Sequence, residues 1–218
     1  GNIDAERTLR QIEQSVINHA PVSIERGEVD EPKTVKSNYV EQKLEVALPL
    51  FNLGFKQKID TPFRRLKSKV CVALLLELIC GDASPLYERL MNEGLINDDF
   101  DYEYFTGAGY AAVIFGGESK DPARVAELIK QEIARLRDEG ADKKLFSAVK
   151  CSMYGDAIRR FNNVEGIAMQ LAECAMLDFD LFEELKLLKT VTYDDVLRRL
   201  DVFDDQNAVL SVILPKGE

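Results

Sequence analysis

Residues 62–80, "PFRRLKSKVCVALLLELIC", restrict the fold more than any other stretch of this chain. The first turns are basic. From Val70 to Cys80 the segment is apolar on almost every side, with Glu77 as its single charge. A helix that is hydrophobic nearly all round has to be enclosed, so the pattern predicts a helix whose carboxyl end is buried among several neighbours. The run is much shorter than the roughly 20 residues needed to cross a bilayer. Gly81-Asp82 then breaks the helix, and Ser84-Pro85 supplies a cap and a first residue for a second, short helix. Gly94 can take the left-handed conformation that closes it.

The rest of the chain must provide cover for that buried helix. Residues 5–18 place Leu9, Ile12 and Val16 at helical spacing among charges, with His19 at the helix end, where an imidazolium favours the dipole. Residues 20–33, "APVSIERGEVDEPK", read as a surface connection. From Tyr39 the pattern alternates in part, which predicts two strands or one bent strand, with Gly54 marking a bulge or a close approach. Thr61-Pro62 is the expected cap of the long helix. "DFDYEY" alternates acid and aromatic, and "GAG" separates it from "YAAVIFGG". That is a hairpin with one acidic, wet face and one aromatic face. Asp121-Pro122 starts a helix with an apolar stripe at Val125, Leu128, Ile129, Ile133 and Leu136, ended by Gly140. Further helices are expected over 144–161, 164–177 and 182–188, and Thr192 caps another through Leu200, with Asp195 placed well for the dipole. "NAVLSVILP" is a last, buried strand. The order argues an α+β fold, a largely antiparallel sheet with helices packed on it, and no composition break divides residues 1–218.

Charge and rare residues narrow the function. Lys plus Arg number 28 against 38 Asp plus Glu, a net charge of −10, which repels phosphate backbones and argues against a nucleic-acid partner. There is one histidine, so neither an H-x-x-x-H pair nor a histidine-rich metal site can be built from this chain. No G-x-S-x-G is present. "GAGYAAVIFGG" lacks the phosphate-cradle pattern, and "NDDFDYEY" lacks the D-x-D-x-D-G of a calcium loop. The basic "FRRLKSK" and "IRRF" read as solvated helix faces in an acidic protein. Four cysteines (Cys71, Cys80, Cys151, Cys174) form no C-x-x-C pair, and three lie in apolar helical stretches. With no membrane span and no basic amino-terminal region leading into an apolar stretch, the expectation is a reduced, cytoplasmic protein with no membrane partner.

Several stretches, taken in order, resemble the second half of the pitrilysin-type zinc peptidases. This inverzincin family includes insulysin, the mitochondrial processing peptidases and many bacterial two-domain zinc-dependent relatives, to which the likeness is greatest. The carrying segments are "GNID" with its helix, "LPLFNLGFK", "LLLELICGDASPLYERLMNEGLI", "RFNNVEGIAMQLAECAMLDFDLFEELKLLKTVTYDDVLRRL" and "NAVLSVILP". The Gly81–Leu90 unit and "TVTYDDV" are the most specific.

The resemblance implies a non-catalytic α+β domain. It would form one wall of a chamber that encloses peptide and would pack on a homologous catalytic domain or partner subunit, with a dimer possible. Zinc, held by H-x-x-E-H and a distant Glu, belongs to that sister domain; this chain has no such motif and no cofactor is expected in it. In active relatives the short helix faces the chamber, where an arginine and a tyrosine bind substrate backbone. Those positions align with Met91 and, allowing a one-residue deletion, Asn97. Met91 cannot make the charge-assisted hydrogen bond, worth about 1.5–3 kcal/mol, so the role is not carried over. Tyr87 and Arg89 are the remaining candidates, set against readings as a packed tyrosine and a surface arginine. A silent scaffold subunit with no zinc anywhere, and an unrelated α+β binding module, are the alternatives.

Overall fold

The computed structural model describes residues 2–15, 32, 34–57, 65–107, 110–177 and 180–216. His19, nearly all of the 20–33 connection, the Thr61-Pro62 cap and most of the "GAG" turn lie outside these. The chain runs α1 (Ala5–Ser15), β1 (Tyr39–Leu44), β2 (Leu50–Gln57), α2 (Arg65–Cys80), α3 (Pro85–Asn92), β3 (Asp101–Gly107) and β4 (Tyr110–Glu118). It continues through α4 (Pro122–Glu139), α5 (Lys143–Arg159), α6 (Val164–Leu177), α7 (Glu183–Thr190), α8 (Tyr193–Leu197) and β5 (Ala208–Pro215).

α2 is the hub. Lys67 and Lys69 are exposed, whereas Val70, Val72, Leu74, Leu75, Leu78, Ile79 and Cys80 are buried. The helix touches β3, α3, α4, α5, α7 and α8, which is the all-round enclosure its sequence demands. Its one charged residue in the apolar run, Glu77, is half-buried and lies beside the Tyr102 hydroxyl of β3. Burial first, and then the Glu77 charge, push the Tyr102 phenol well above its ordinary range. The carboxylate at this helix–sheet interface thus keeps a polar neighbour.

The five strands form one sheet in the order β1-β5-β2-β4-β3. Three pairings are antiparallel and one, β1 with β5, is parallel. The sequence left one bent strand or two; the structure has two, separated in the sheet by β5. Phe51, Leu53 and Phe55 of β2 and Val113 and Phe115 of β4 are buried under the helices. Alternate residues such as Asn52, Gly54 and Ile114 are half-buried or exposed, so the opposite sheet face stays open among the described residues. Gly54 corrects one expectation: it pairs in unbroken register with Ile114 and Val209, so there is no bulge. The space beside it would take a methyl group, since an added Cβ would meet only the Val113 carbonyl at 3.9 Å.

Candidate functional site

The α3 unit and the segment that returns to β3 hold the four candidate substrate-contact positions, Tyr87, Arg89, Met91 and Asn97. Ser84 is buried and accepts the Tyr87 N–H at 3.1 Å, and Pro85 takes the first helical position. The far end closes with paired 5→2 and 6→1 hydrogen bonds, Gly94 N–H to Met91 O and Leu95 N–H to Leu90 O, both 2.9 Å. Gly94 has φ of 59°, the left-handed conformation that this closure needs. The break after α2 therefore turns the chain, and the second glycine drops buried Leu95 and Ile96 back into the core.

Met91 is half-buried and packs against that core. Asn97 is a fastener. Its amide donates to Glu118 at 2.9 Å, its side-chain oxygen accepts the Asp99 N–H at 3.1 Å, and its carbonyl accepts the Phe100 N–H. These bonds lay residues 97–100 across the end of β4. The approach is so close that a Cβ on Gly117 would sit 2.9 Å from the Phe100 Cα, and Gly117 also has φ of 153°. Phe100 then stacks on Phe51. Tyr87, four residues before Met91, is half-buried with its ring 6.4 Å from that of Phe100. Arg89 is exposed and pairs with Glu93 one turn on, at 2.7 Å.

The structure thus groups Met91, Tyr87 and Asn97 around the packing of one turn and leaves Arg89 on the surface. Among the described residues no group of three or more His, Cys, Asp or Glu side chains could hold a metal ion. The donor set does not fit a zinc centre, and no step through zinc is assigned to this chain. Burial pushes the Cys71 and Cys80 thiols up, which makes them inert packing groups.

The Thr192 cap expected from the sequence is present; two further features, the tethers that segment makes and a cavity, went unread. "TVTYDDV" works as a clasp. Thr192 and Asp195 form a capping box, and the Tyr193 hydroxyl donates to the Ala141 carbonyl while accepting the Ala141 N–H, both at 2.8 Å. Asp195 also meets Lys67 of α2 at 2.9 Å, and that contact first, then the Thr192 N–H, lowers its carboxyl to about 2. The second feature is a cavity of about 560 Å³ between α5 and α7, lined by Phe146, Lys150, Cys151, Tyr154 and Leu188. Its amine is already engaged: Lys150 donates to the Lys189 and Val191 carbonyls at the end of α7. No sequence signal links residues 150 and 191.

The geometry defines a one-sided helix-on-sheet α+β domain, with its turns fastened by hydrogen bonds and no metal-ligand cluster among the described residues. The family model described as the peptidase M16 inactive domain matches residues 1–153, and the chain belongs to that family. It is 29% identical over 204 residues to the uncharacterized zinc protease YmfH of Bacillus subtilis (strain 168), covering 90% of this chain and 47% of that protein. Two solved structures share the fold: an M16-like peptidase from Alicyclobacillus acidocaldarius (TM-score 0.88, 22% identity) and a protease from Helicobacter pylori (TM-score 0.80, 16% identity). Each match covers 99% of this chain and 53% of the other. The chain spans about half the length of the curated relative it matches. The resemblance to the carboxyl-terminal half of pitrilysin-type peptidases therefore holds, as does the α+β fold.

Proposed function

We propose that this chain, as one domain over residues 1–218, is the non-catalytic half of a zinc-dependent peptidase. It forms a wall of the peptide chamber and packs on a homologous sister domain that carries the zinc. The observation behind this is the match of nearly the whole chain to half of longer proteases, with no metal-ligand cluster among its described residues. The open face of the sheet, opposite the helices, is the surface suited to line a chamber. Four cysteines without a disulfide suit a reducing, cytoplasmic setting.

A second reading, a silent scaffold subunit with no zinc in its partner half, is favoured by one specific observation. Asn97 is consumed in fastening the turn and Met91 in packing, so neither offers a substrate contact. One experiment separates the two. The native reading frame is extended upstream of Asn2, and the full-length product is assayed for peptide hydrolysis with and without chelator. Hydrolysis lost with chelator, alongside an upstream H-x-x-E-H, supports the peptidase half. An inert product without the motif supports the scaffold. Hydrolysis by the 218-residue chain alone would sink both.

A further inference from the structure

α1 is left uncovered by the described residues. None of its residues is buried, and Leu9 and Ile12 are 58% and 51% exposed, with Ile3 at 69% just ahead of the helix. The sequence nevertheless commits this segment to a helix. Asp4 accepts the Arg7 N–H at 2.9 Å through its side chain and the Thr8 N–H at 3.0 Å through its carbonyl. Arg10 and Glu6 pair one turn apart. Its eleven residues are too few to stand alone, because isolated helices below about 12–15 residues are marginal in water. A short amphipathic helix draws its stability from whatever covers its apolar stripe. Nothing in this chain's described residues does so.

The comparisons point to the cover. The family match begins at residue 1, so α1 is part of the inherited unit. A match covering 99% of this chain takes in α1, and it is made to chains of which this fold is only 53%. In both longer proteins the counterpart of α1 therefore exists beside a second half. Away from the stripe the helix carries both signs, Glu6 and Glu13 with Arg7 and Arg10, as a solvated polar face does.

We propose that the Leu9–Ile12 stripe of α1 is a docking surface for the sister half of the longer protein, and that α1 is held by that half and not by its own body. The proposal rests on the reading of this chain as one half of a peptidase-like pair. Amide hydrogen exchange tests it, followed on the 218-residue chain and on the full-length native product. Residues 5–15 exchange close to the unstructured rate in the 218-residue chain and about 100-fold slower in the full-length protein. The double variant Leu9→Asp, Ile12→Asp in the full-length protein removes the slowing at 5–15 while the amides of β2 keep theirs, which separates lost docking from unfolding. Arg10→Gln, on the polar face, retains the slowing. Equal exchange of 5–15 in the two proteins overturns the proposal. So does slowing in the 218-residue chain that grows with its concentration, which would assign the stripe to a second copy. The readout is independent of hydrolysis. A full-length product that is inert but protects α1 keeps the docking and loses the catalytic sister, and an active product with unprotected α1 does the reverse.

Discussion

α2 and α6 are both rich in apolar residues, and the molecule treats them in opposite ways. α2 is enclosed on all sides. α6 leaves Val164, Met169, Leu171 and Met176 between 50% and 79% exposed. Its Gln170, Glu173 and Cys174 line a crevice of about 180 Å³ together with Val70 and Met153. Composition fixes what a helix needs, but neighbours decide what it gets. α2 lies where a sheet and five helices converge, whereas α6 follows the tight 160–162 turn and lies at the rim.

The contrast can be broken most sharply in α2. Leu75→Ala removes a fully buried side chain and should cost about 2–5 kcal/mol, read as a lower urea midpoint at unchanged slope. A loss below about 0.5 kcal/mol would mean that α2 is not the hub described. Next comes Glu77, the half-buried charge in its apolar run. Tyr102→Phe removes the hydroxyl beside Glu77 and should cost about 1–3 kcal/mol. Third is the clasp that ties α2 to α8. Asp195→Asn should lower stability at neutral pH by about 1 kcal/mol, the worth of a cap. Its pH signature has a definite sign. The folded carboxyl is lowered to about 2, so its contribution is present above the unfolded value of about 3.9 and is lost as pH falls through about 2. The variant should therefore lose less stability than the parent between those two values in an acid titration. The smallest effect belongs to α6: Met169→Ala should move stability by no more than about 0.5 kcal/mol. A cost like that of Leu75→Ala would show that α6 is covered in solution.

Local chemistry was legible in the sequence wherever the signal and its cause lie within a few residues. The Ser84-Pro85 start, the Gly94 stop, the apolar stripe of α4 and the acid–aromatic alternation of β3 all fall into this class. Partners distant in sequence were not legible. β1 is exposed along its whole length, so it has no apolar face from which to infer a place in the sheet. At the candidate site, Tyr87 and Arg89 were readable as packed and surface residues because helical spacing separates those faces. The bonds from Asn97 to Glu118 and from Tyr193 to Ala141 join loops whose approach no local pattern encodes.

The parallel β1–β5 pair has a consequence for the order of assembly. Tyr39 lies against Leu210, about 170 residues later, and a loop of that length adds only a slowly growing entropic cost to closure. The difficulty is one of timing. During synthesis β1 emerges about 170 residues ahead of the strand that receives it. β2 and β4 can zip together with α2 against them beforehand, but β1 must wait in an unpaired state. Its alternating Glu41 and Lys43 then guard a waiting edge against the wrong strand, and in a pulse-labelled refolding experiment the amides of β1 should be the last of the sheet to become protected.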